Sequence, residues 1–89
     1  MAKKKTLLER MAQNPKDNWQ IKDVETLCKQ VGIYCEKPSK GSHYKVYGDH
    51  IAATLTIPAH KPIRYFYIKN LTSYATMHLE IVSEKDKES

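Results

Sequence analysis

The sequence predicts an α+β fold, with helices gathered on one face of a three-stranded antiparallel sheet. Three observations carry that reading. Apolar residues recur at helical spacing over residues 21–31 and again over 65–77. The stretch between them alternates apolar and polar positions in a strand-like way and is punctuated by Pro38, Gly41, Gly48 and Pro58. A chain of 89 residues has room for one core and not two.

The elements follow in order. Residues 6–13 read as a short helix with Leu7, Leu8 and Met11 on one stripe, stopped by Asn14 and Pro15. Residues 16–19 form a loop. A second helix spans about 21–31, with Ile21, Val24, Leu27, Cys28 and Val31 facing inward, and Gly32 stands where a helix-ending glycine is expected. Cys28 is thus expected in the core. Strands are expected at 33–37, 43–47 and 50–57, with Gly48 and Asp49 as the hairpin turn and glycine supplying a positive φ. That turn pairs Tyr47 with His50, Val46 with Ile51, Tyr44 with Ala53 and Ser42 with Leu55. The register places Tyr44, Val46, Ile51, Ala53 and Leu55 on the core face, and turns His43, Lys45 and Tyr47 outward. A last helix runs from 64 or 65 to 77 on an inner stripe of Ile68, Leu71 and Ala75. The expected organisation is a basic tail at 1–5, a single domain at 6–79 and a charged tail at 80–89.

Composition narrows the partners. Formal net charge is +5 and the pI is near 9.2. This favours nucleic acid, an anionic surface or an acidic protein. Over residues 37–79 the basic side chains are Lys37, Lys40, Lys45, Lys61, Arg64 and Lys69, while the only acid in that stretch of the sequence is Asp49. Metal-dependent nuclease chemistry needs clustered carboxylates, so no metal and no other cofactor is expected. Serine-hydrolase chemistry lacks its acid and its glycine framing. The two cysteines, Cys28 and Cys35, lack the spacing of a zinc site. No apolar run is long enough to span a bilayer and no secretory signal stands out, so a cytoplasmic chain with reduced thiols and no membrane association is expected.

His43 is the sharpest candidate for chemistry. It follows Gly41 and Ser42 at the start of a strand, on the outward face, between Lys40 and Lys45. Histidine titrates near neutrality and moves a proton in either direction. RNA carries its own nucleophile in the 2′-hydroxyl, so a cleaving protein needs a base or acid there and positive charge near the phosphate. A histidine at such a position is also an ordinary surface residue. His60, followed by Lys61, is the second candidate, for contact with phosphate. Tyr47 is a candidate for base stacking. His50 and His78 are expected to be exposed and inert.

In this order the motifs resemble the HicA toxins of bacterial type II toxin–antitoxin systems. The resemblance rests on an amphipathic helix ending Lys29, Gln30, Val31, Gly32, Ile33, and then on Lys40, Gly41, Ser42, His43, Tyr44. It continues with Leu55, Thr56, Ile57, Pro58, Ala59, His60, and with Ile68, Lys69, Asn70, Leu71. The early stretch with Asn14, Pro15 and Lys16 is similar to that of longer members. Lys45, Val46 and Tyr47 stand where many members have a second histidine or an arginine-rich strand.

The resemblance implies a double-stranded-RNA-binding-like sandwich and the activity of an mRNA interferase, an endoribonuclease that inhibits translation and growth. It implies His43 as the catalytic residue. It also implies a HicB-like antitoxin as the partner covering the His43 face, with mRNA as substrate. Lys40, Gly41, Ser42, Lys45, Tyr47, His60 and Lys61 form the expected RNA-binding set. The alternatives are a non-catalytic RNA-binding module and a basic face that docks an acidic protein.

Overall fold

The chain forms α1 (Leu7–Gln13), α2 (Ile21–Val31), β1 (Tyr34–Glu36), β2 (His43–Gly48), β3 (Ile51–Pro58) and α3 (Tyr65–Glu88). This is seen in a computed structural model that describes residues 6–88, with side chains described through residue 84. The basic stretch 1–5 lies outside the described residues. The sheet is antiparallel throughout, in the order β1-β2-β3.

Local chemistry explains where each helix begins and ends. The Thr6 hydroxyl caps α1 by accepting from the Glu9 N–H at 3.2 Å. Past Asn14 and Pro15 the chain is pinned by Trp19, whose indole N–H donates to the Asn14 carbonyl at 2.7 Å. Trp19 is only 6% exposed, so the expected loop delivers a core residue. At the start of α2 the Gln20 N–H donates to the Asp23 carboxylate at 2.9 Å. Gly32 ends α2 in the left-handed conformation, and both Gly32 and Ile33 donate their N–H groups to the Cys28 carbonyl.

The core gathers Met11, Val24, Leu27 and Cys28 from the first two helices. Val46 and Ile57 come from the sheet, and Ile68, Leu71, Tyr74 and Ala75 from α3. Helices and core lie on one side of the sheet. On the other side Tyr34, Glu36, His43, Lys45, Tyr47 and Thr56 are all exposed.

Three expectations need correction. The first concerns the hairpin. The turn is Asp49 and His50, closed by the pair Gly48 and Ile51. Farther along, Val46 pairs with Leu55, Tyr44 with Ile57 and His43 with Pro58, because a bulge opposes two steps along β2 with four along β3. Ile57, on the core face in either register, lies opposite Tyr44 and is 1% exposed, and full burial of such a side chain is worth about 1.5–3 kcal/mol. Ala53, expected inward, lies in the bulge and is exposed. Its carbonyl accepts from the Tyr74 hydroxyl at 2.8 Å. Gly48 does not adopt a positive φ; it is small because a Cβ there would meet the Ile33 side chain at 3.2 Å.

The second correction concerns α3, which continues well beyond residue 77 to Glu88. Its inner stripe does not stop at Ala75. His78 is buried and Ile81 and Val82 are half-buried, so the stripe runs on for two further turns. The third concerns His78 itself, which is 5% exposed. Its ring lies against His50 with centroids 5.5 Å apart, and its Nδ1 is buried without a hydrogen-bond partner.

Candidate functional site

The start of β2 is set by a loop that must reverse β1. Residues 37–42 make this turn, and Gly41 stands at φ 82 with open space around it. A side chain there would meet no neighbour but would strain the backbone, so glycine serves the conformation. Ser42 is half-buried, and its carbonyl accepts from the Ala59 N–H at 2.8 Å. This bond clamps the start of β2 to the end of β3, next to the His43–Pro58 pair. Gly41 and Ser42 therefore act on the site through the backbone: one turns the chain and the other fixes the position of His43.

From that clamp the side chains alternate. His43, Lys45 and Tyr47 point away from the core, as the hairpin reading expected, because the observed register differs from it by an even number of residues. His43, Lys40 and Lys45 line one open pocket of about 340 Å³ together with Glu36, Lys37, Pro38 and Ser39. Three lysines and a histidine thus converge on a space large enough for a phosphodiester and its sugar. One carboxylate joins them: Glu36 on β1 pairs directly with Lys45 on β2.

The remaining expected residues are placed differently. His60 and Lys61 are exposed just beyond β3 and do not line this pocket. The Ser42–Ala59 bond brings the backbone before His60 to the same end of the sheet as His43. Tyr47 shares the outward face with His43 but lies farther along β2, and it packs against Tyr34 with ring centroids 5.2 Å apart. The Tyr34 hydroxyl donates to the Asp49 carboxylate at 3.0 Å, which raises the phenol above its ordinary value.

Two contributors escaped the sequence reading. Glu36 sits one residue outside the basic stretch, and only strand pairing brings it beside Lys45. Tyr34 belongs to β1, whose outward positions become visible only once its register against β2 is known. Alternation from Cys35, the inward residue of β1, was the one signal that pointed to both. Among the described residues, no three histidine, cysteine or acidic side chains gather to hold a metal ion. No helix among them is long and apolar enough to cross a membrane. Comparison with family models, curated proteins and solved structures finds no match to this chain.

Proposed function

We propose that this chain is a metal-independent endoribonuclease of the HicA toxin kind, with a double-stranded-RNA-binding-like fold. The observation that supports this most is the convergence of His43, Lys40 and Lys45 on one open pocket of the outward sheet face. A proton-transferring imidazole and two ammonium groups are what strand scission by the 2′-hydroxyl needs. His43 takes the 2′-hydroxyl proton as the 2′-oxygen attacks phosphorus, and the bond to the 5′-oxygen breaks as that oxygen takes a proton from water, leaving a 2′,3′-cyclic phosphate and a 5′-hydroxyl. Lys40 and Lys45 hold the phosphate and offset the charge that builds on its oxygens. His60 and Lys61, at the same end of the sheet, guide the flanking strand. The partner in this reading is a HicB-like antitoxin that covers the His43 face, and the target is mRNA.

The test combines cells and purified protein. Induction of the chain arrests growth, and the purified protein cuts RNA in buffer containing EDTA. His43→Ala lowers cutting by roughly 10²–10⁴-fold while RNA binding persists. Undiminished cutting by that variant refutes the mechanism. The exposed Tyr34–Tyr47 pair favours a second reading, an RNA-binding module without catalysis, since aromatic rings on an open sheet face stack on unpaired bases. RNA that is bound but left intact, together with growth unaffected by His43→Ala, selects that reading.

A further inference from the structure

The two cysteines, unrelated by spacing in the sequence, meet in the fold. Cys28 lies in the last turn of α2 and Cys35 in the middle of β1. Gly32 reverses the chain between them, and the Ile33 N–H returns to the Cys28 carbonyl at 3.0 Å. β1 therefore starts back along α2, with Cys35 on its core-facing side. Cys35 packs against the buried cluster that contains Cys28, and the neighbouring Cys28 thiol holds Cys35 below the ordinary thiol value, while burial and the Glu25 carboxylate act in the opposite direction. The same contact, together with burial, pushes Cys28 far above it.

Access to the two sulfurs is unequal. Cys28 is 1% exposed. Cys35 is half-buried and lines an open pocket of about 520 Å³ between α2 and β1, with Lys22, Glu25, Thr26 and Lys29 on its walls. A small oxidant in water therefore meets Cys35, which lines the pocket, more readily than Cys28, which does not. That asymmetry is the arrangement of an attacking thiol and a resolving one.

We infer that Cys35 is a peroxide-reactive thiol and Cys28 its resolving partner, closing an intramolecular disulfide that ties α2 to β1. The Cys35 thiolate attacks one oxygen of hydrogen peroxide, the O–O bond breaks, and Cys35 becomes a sulfenic acid as hydroxide leaves. Cys28 sulfur then attacks Cys35 sulfur, the S–O bond breaks, and a second hydroxide departs. The two thiol protons convert both hydroxides to water. Two thiols and one peroxide thus yield one disulfide and two waters, and a dithiol reductant returns the starting state.

The test uses the whole reduced chain and hydrogen peroxide, with free thiols then capped by a maleimide and located by mass spectrometry. The expected result is loss of both thiols in step, in a monomeric chain, reversed by dithiothreitol. Brief maleimide treatment without peroxide labels Cys35 at least about tenfold faster than Cys28. Cys28→Ala leaves a Cys35 sulfenic acid that dimedone captures, and Cys35→Ala leaves Cys28 reduced. Loss of one thiol alone, disulfide-linked dimers, or faster labelling of Cys28 overturns the proposal. The wild-type thiol count decides it even if a variant fails to fold. None of these readouts involves RNA, so the outcome is separate from that of the nuclease reading.

Discussion

At the scale of single residues, His78 shows how a polar side chain is drawn inward by its neighbours. It occupies the place on α3 that Leu71 and Ala75 predict for an apolar group, and its Nδ1 is buried without a partner. A buried, unpaired polar atom costs about 1–3 kcal/mol. His78→Leu is therefore expected to stabilise the chain by about 1 kcal/mol and raise Tm by about 4–8 °C in a thermal melt. A fall in Tm would mean that the contact with the His50 ring outweighs the lost desolvation penalty. Glu36 is the opposite case, an exposed charge whose effect is local. It brings negative charge into a pocket otherwise lined by lysines and His43. Glu36→Gln should tighten RNA binding roughly two- to fivefold at low salt, the range of an exposed ion pair. Unchanged affinity in a filter-binding assay would place the RNA elsewhere.

At the scale of elements, α3 and the β2–β3 hairpin teach different lessons. The mixed charges of residues 84–89 suggested a tail, yet α3 runs to Glu88 because Ile81 and Val82 extend its buried stripe. Deleting residues 80–89 should lower stability by roughly 2–4 kcal/mol, since two half-buried aliphatic side chains are lost with their helical turns. A urea titration measures this, and an unchanged midpoint would show that the last turns are dispensable. The hairpin was placed correctly as a hairpin but four residues out of register at its open end. Alternation constrains parity and not absolute register, because an even slip leaves every side chain on its own face. The outward face carrying His43 and Lys45 was readable for that reason, whereas their cross-strand partners were not. The absolute register is settled by packing between elements, and local sequence does not reveal it.

At the scale of the whole molecule, the charge becomes directional. The formal charge of +5 is a property of composition, but the fold brings Lys37, Lys40, Lys45 and His43 to one pocket on the open side of the sheet. Binding of single-stranded RNA through Lys37, Lys40, Lys45 and Lys61 should give a log–log salt slope of about −3. A slope near zero would remove the phosphate contacts on which the nuclease reading depends. Helices cover the other side of the sheet, so a protein partner that blocks the RNA must approach the same exposed face.

Local chemistry alone was enough to specify the helix boundaries at Thr6, Asn14 and Gly32, the three strands, the α+β class and the outward direction of His43. Each depends on neighbours within a few positions, through capping, backbone restriction or alternation. Long-range packing settled what those patterns leave open. It set the bulged register, drew Trp19 and His78 inward and carried α3 past residue 77. It also brought Glu36 beside Lys45, Tyr34 against Tyr47 and Cys28 against Cys35. Those pairings join residues that belong to different elements, and their partners are chosen by how the elements bury one another.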